Sequence, residues 1–173
     1  MQAKFDRLLL SLVRFVKLRI DGDGARFPYL RRVVEGSPPG EVELQHDLWE
    51  FLTTSEYPEA ERKQVSAGRV DIWIPQGPFR FVIEVKRLLG QWVEPTLQPL
   101  LRQTTAYQQT DVRLGVLAIL DLSDRPSGIP HFDQCFEVRD RSGHGGDVRT
   151  ALILRVPGNR RTPSDHAVPG GGS

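Results

Sequence analysis

Two short runs of strict alternation, Arg69–Ile74 and Phe81–Lys86, constrain this 173-residue chain more than any other feature. Successive side chains on a strand point to opposite faces. In the first run Val70, Ile72 and Ile74 therefore share one face, and Arg69, Asp71 and Trp73 the other. In the second, Phe81, Ile83 and Val85 stand opposite Val82, Glu84 and Lys86. Between them Pro75, Gly77 and Pro78 supply turn chemistry, which predicts an antiparallel hairpin. For the apolar faces to coincide, the numbers of facing residues must sum to an odd value, as they do for Asp71 opposite Glu84.

That register sets two carboxylates side by side, where like charges repel. A divalent cation reverses the sign, since magnesium takes oxygen ligands and is held by one or two carboxylates plus waters and phosphate oxygens. Lys86, two residues beyond Glu84 on the same face, is placed to hold an attacking water or to stabilise charge building on phosphorus. A solvated hairpin face with a weak cross-strand ion pair would carry the same three residues, so the flanking segments matter.

Upstream, Glu41–Ser55 has helical spacing, with Leu44, Leu48, Phe51 and Leu52 on one stripe. At ~100° per residue, Glu41 falls at the middle of that stripe and Glu43 on the opposite face. A carboxylate on an inner face needs a partner, which a metal site would provide. A first-turn glutamate favoured by the helix dipole, after Pro38, Pro39 and Gly40, is the alternative. Downstream, Gln98–Thr110 reads as a helix with Gln103 and Tyr107 on one face, either able to contact phosphate or brace the lysine. An apolar strand, Leu114–Leu120, follows.

Taken in order, these pieces resemble the PD-(D/E)XK nuclease superfamily, the restriction-endonuclease-like fold, over residues 41–120. Its acid at the end of one strand is matched by Asp71, and its acid, any residue, lysine triplet by Glu84, Val85 and Lys86. The glutamate of its first core helix is matched by Glu41, and its glutamine with a tyrosine four residues later by Gln103 and Tyr107. Gly68 and Arg69, leading into the acid, also look like these enzymes; Val70 stands where the motif name has proline. The resemblance implies an α/β core with a central mixed β-sheet flanked by helices, in the order α-β-β-β-α-β. It further implies an Mg²⁺-dependent endonuclease, with Mn²⁺ as a substitute, hydrolysing phosphodiester bonds of nucleic acid, DNA before RNA. Asp71, Glu84 and the Val85 carbonyl would ligate the metal, with Glu41 extending the site. Lys86 would orient the water, while Gln103, Tyr107 and Arg69 would contact substrate. Two rivals share these residues: an inactive module of the same fold that binds nucleic acid or mediates assembly, and a structure-selective junction resolvase, which calls for a homodimer. Defence, repair and mobile-element settings all fit.

The remaining sequence narrows the class. A formal net charge of +1 makes any nucleic-acid footprint a local patch. Of 23 basic residues only four are lysines, so Lys86 keeps a titratable point charge where the chain otherwise chooses arginine. Cys135 is alone, which excludes a disulfide framework within the chain and suits the cytoplasm. His46, His131, His144 and His166 lack metal-ligand spacing. Phe5–Ile20 is apolar but interrupted by Arg14, Lys17 and Arg19, too short an uncharged run to span a bilayer. It reads as an amphipathic helix within an N-terminal extension, 1–38, packing on a core of 39–156. Asp21–Gly24 makes a turn, and Phe27–Val34 a short helix or strand. Phe136–Asp140 and Ala151–Val156 read as two strands joined by Arg141–Thr150, and 157–173 as a disordered Pro- and Gly-rich tail.

Overall fold

A computed structural model of the protein describes residues 2–22, 26–31, 36–65, 69–106, 114–124, 130–142 and 147–160; of 63–65, 69–71, 105 and 106 it describes the backbone. Helix α1 spans Gln2–Asp21 and α2 Glu41–Ser55. Strands β1 (Glu61–Val65), β2 (Arg69–Gln76) and β3 (Phe79–Leu88) follow, then α3 (Glu94–Ala106). Strands β4 (Leu114–Asp121), β5 (Phe136–Ser142) and β6 (Val148–Pro157) complete the sheet. Helix α2 has the predicted bounds, and Leu44, Leu48 and Leu52 are fully buried along its stripe. Glu43, on the other face, reaches back to accept the Gly40 N–H at 2.9 Å, half of a capping box, since glycine has no side chain to complete it.

The six strands form one mixed sheet in the order β1-β2-β3-β4-β6-β5. The β1-β2, β2-β3 and β5-β6 pairs are antiparallel, and β3-β4 and β4-β6 are parallel. Helices α1 and α2 cover one face: Leu8, Leu12, Phe15, Val16, Leu44 and Leu48 pack with Ile72, Ile74, Phe81, Ile83 and Val85. Across the sheet, α3 places Leu97 and Leu101 against Leu88, Leu117, Ile119 and Ile153. Period-2 alternation thus feeds two separate cores from the same strands. Helix α1 also braces the hairpin tip: Lys4 donates to the Gln76 carbonyl at 3.1 Å, and Phe5 meets Phe81. Among the described residues no helix is long and apolar enough to cross a membrane.

Several bounds differ from expectation. Pro75 is not in the turn but in β2, facing Arg80, and the loop narrows to Gly77 and Pro78. Gly77 has φ +66°, which with the ring-fixed φ of Pro78 matches the II′ turn that suits strand twist. Helix α3 starts four residues early, because Pro95 is tolerated in the first turn, and Pro99 lies inside it; the helix is described to Ala106, and 107–110, Tyr107 among them, lie outside the described residues. The β5-β6 strands extend to Ser142 and from Val148, shortening the connection, of which 143–146 lie outside the described residues. Residues 157–160 are no tail: Pro157 ends β6, the Gly158 N–H donates to the Asp121 carbonyl at 2.8 Å, and Arg160 bridges to Arg31. Residues 161–173 lie outside the described set. The 27–34 segment holds a 3-10 turn at Pro28–Leu30.

Charge also sits inside the α1/α2 layer. The Arg19 guanidinium donates to Asp47 through Nε at 2.9 Å and Nη2 at 2.5 Å, lies over the rings of Phe15 and Phe27, and is only 6% exposed. The Tyr29 hydroxyl donates to the same carboxylate at 2.5 Å. Asp47→Ala strands a buried cation, and should destabilise the fold by about 3–5 kcal/mol in urea unfolding. Burial and then the Asp47 charge hold the Tyr29 hydroxyl above its ordinary range. The folded state therefore keeps that proton longer than the unfolded chain, and stability should fall as pH rises past about 10. Tyr29→Phe should flatten that slope in an unfolding series at alkaline pH.

Candidate active site

The charged face of β3, expected to serve something other than the core, is half-buried at Arg80 and Val82 and closes over at Glu84 and Lys86: Glu84 is 1% exposed and Lys86 6%. The two are bound to each other, Lys86 Nζ lying 2.6 Å from Glu84 Oε1. That contact is close enough for an ion pair but off hydrogen-bond geometry, and neither Glu84 oxygen has a hydrogen-bond donor among the described residues. A buried carboxylate whose lone pairs are unused is costly. It is also what a hard cation needs.

The predicted register holds. Asp71 is directly across from Glu84 on the neighbouring strand, and Trp73 across from Val82. Counting back from the two-residue turn, where Gln76 and Phe79 are the hydrogen-bonded pair, Asp71 and Glu84 fall on a non-hydrogen-bonded pair, the closer of the two kinds. The side chain of Asp71 lies outside the described residues. Pairing of β2 with β3 runs from that point to the turn, so backbone groups of Val85 and Arg87 on the β2 side lie past its end. Glu41, at the first position of α2, fills part of the gap: its Oε1 accepts the Arg87 N–H at 3.2 Å, and the Arg87 guanidinium donates to the Pro39 carbonyl. Glu41 is thus a first-turn glutamate whose partner is a backbone amide of the strand carrying Glu84 and Lys86.

The other expected residues are less gathered. Gln103 is half-buried on α3, whose buried side instead carries Leu97, Leu101 and Thr104. Tyr107 and the Arg69 side chain lie outside the described residues. Among the described residues no group of three or more His, Cys, Asp or Glu is arranged to hold a metal. Of the expected ligands, Glu84 is across the ladder from position 71 and Glu41 is bonded to the Arg87 amide; carboxylate and carbonyl oxygens are the donor type Mg²⁺ takes.

Two polar features on the same face escaped the sequence reading. Asp121, fully buried at the end of β4, accepts from Arg155 Nε at 2.7 Å and from the Ser123 N–H at 3.0 Å, and Arg155 lies over Trp92. A lone acid closing the otherwise apolar run Leu114–Leu120 was the available signal. Arg80 lies over Trp73 with 3.9 Å from guanidinium carbon to ring centroid. Alternation alone puts Arg80 on the face of Val82 and Glu84, diagonal to Trp73. No family model, curated protein or solved structure matches this chain.

Breaking the buried pair from one side should cost far more than removing it whole. Lys86→Met should destabilise by about 3–5 kcal/mol, whereas Glu84→Met with Lys86→Met should recover most of that loss in urea unfolding.

Proposed function

We propose that this protein is a metal-dependent nuclease of the restriction-endonuclease-like, PD-(D/E)XK type, hydrolysing phosphodiester bonds of nucleic acid, with DNA the favoured substrate. One observation carries the reading: a buried Glu84 carboxylate, directly across the ladder from Asp71, whose one partner among the described residues is the Lys86 ammonium 2.6 Å from Oε1, leaving Oε2 without a donor there. A structural ion pair alone would be expected to satisfy its lone pairs. The mixed sheet with α2 before the hairpin and α3 after it supports the fold assignment.

Asp71, Glu84 and the Val85 carbonyl would hold Mg²⁺, with Glu41 at the margin. When bound, the cation supplies a Lewis acid that lowers the pKa of a ligated water and neutralises charge on phosphate oxygens. Glu84 keeps Lys86 at the site, so that the ammonium can orient water and balance charge on the attacked phosphate. Gln103, Tyr107 and Arg69 are assigned to contacts with substrate phosphate, making binding dominated by the backbone and sensitive to salt.

A second reading has its own support. The near-complete burial of Glu84 and Lys86 also suits an inactive module in which the pair is only structural. Incubation with supercoiled plasmid, linear DNA and RNA, in Mg²⁺, Mn²⁺ or EDTA, separates the two. Cleavage should need the cation and fall at least ~10²-fold in Lys86→Arg, which preserves the charge facing Glu84; cleavage that ignores EDTA or survives that change would overturn the nuclease reading. Mg²⁺ should also raise the thermal midpoint of the wild type, by about 2.7 kcal/mol of stability at a hundredfold excess over Kd, and leave Glu84→Gln unmoved.

A further inference from the structure

All three tryptophans of the chain carry a stacked arginine: Arg62 on Trp49, Arg80 on Trp73 and Arg155 on Trp92. Two of those arginines have a polar partner as well. Arg62 contacts His46 Nδ1 at 3.1 Å, and Arg155 is bound to the buried Asp121. Arg80 has none among the described residues, and its guanidinium carbon lies 3.9 Å from the Trp73 ring centroid.

The place of Arg80 gives that vacancy meaning. It shares a face of β3 with Val82, Glu84 and Lys86, and it sits diagonal to Trp73 on β2, which shares its strand with Asp71. Helix α3 lies over β4 and β6, and Trp73, Arg80 and Val82 remain half-exposed beside it. From Glu84 to Arg80 along the strand is about 14 Å, or about four steps of a stacked nucleic-acid strand at about 3.4 Å each. Arg62 is on the other face, towards α2 and Trp49.

We propose that Arg80, stacked on Trp73, is a phosphate-binding residue that holds the substrate strand a few nucleotides from the scissile position. The proposal rests on the nuclease reading for its substrate class. A guanidinium already held over an indole loses little freedom on binding, offers its fork to a phosphate and has no carboxylate partner among the described residues to displace. The contact reads backbone and not base, so it should not discriminate sequence.

The test is fluorescence anisotropy with a fluorescein-labelled single-stranded DNA oligonucleotide in EDTA, over a salt titration, with RNA and duplex DNA of the same sequence as further arms. Arg80→Ala should weaken binding about tenfold in every arm the wild type binds, and lower the slope of log K against log salt by about one. Arg80→Gln should match it, guarding against misfolding of the alanine variant. Arg80→Lys should restore the slope with only part of the affinity, because an ammonium offers no planar fork. Arg62→Ala, which removes one stacked arginine from the other face, should leave both affinity and slope in place. The proposal is overturned if Arg80→Ala and Arg80→Gln bind as the wild type does, if Arg62→Ala loses as much, or if the wild type binds none of the three nucleic acids. Arg80-dependent binding without metal-dependent cleavage would retain this contact and remove the nuclease reading alone.

Discussion

The parity of one hairpin governs this structure. Because the turn at Gly77 and Pro78 is two residues long, β2 and β3 meet so that Asp71 faces Glu84 and Ile72 faces Ile83. A slip of one residue would turn Ile72 and Ile74 out of the core and bring Asp71 into it. The glycine at the first turn position makes the II′ backbone accessible, and α1 fixes the tip from one side through Lys4 and Phe5. Register, core and candidate site are therefore consequences of a single geometric choice.

That choice also decides what is unusual about β3. Its odd residues enter an apolar core, while its even residues carry a carboxylate and an ammonium into a layer closed to solvent. Hydrophobic residues of similar volume would serve stability as well or better. The fold treats its buried charge in more than one way: Arg19 and Asp47 are bidentate, with Tyr29 adding a donor, and Asp121 uses both oxygens, whereas Asp147 Oδ1, Arg139 Nε and both Glu84 oxygens are buried without a hydrogen-bond donor or acceptor among the described residues. Glu84 has the Lys86 ammonium as its ion-pair partner.

Polar surroundings also separate the three arginine-tryptophan stacks. An arginine over the ring is common to all of them, and among the described residues the polar partner is missing only at Arg80, the one on the face and strand of Glu84. Local chemistry has been repeated, and its surroundings assign different uses.

Much of this was legible in the residues. Alternation with the turn gave the β2-β3 register, the 3.6-residue stripe gave α2 with its bounds, and a continuous apolar run gave β4, because these patterns encode which side of a backbone meets the core. The start of α3 was not, since Pro95, which usually argues against a helix, falls in the first turn, where it is tolerated. Nor was β1 placed by its residues, Glu61–Val65 being polar enough to join the sheet only through its neighbour β2. Sequence determined that Asp71, Glu84 and Lys86 share one face. Only the tertiary structure decided that Glu84 and Lys86 are enclosed, that Glu41 reaches the Arg87 amide from a helix more than forty positions away, and that of the three arginines over tryptophan rings Arg80 is the one with no polar partner among the described residues. The reason is physical: facing is set by the period of one strand, whereas burial and pairing depend on what distant segments bring against it.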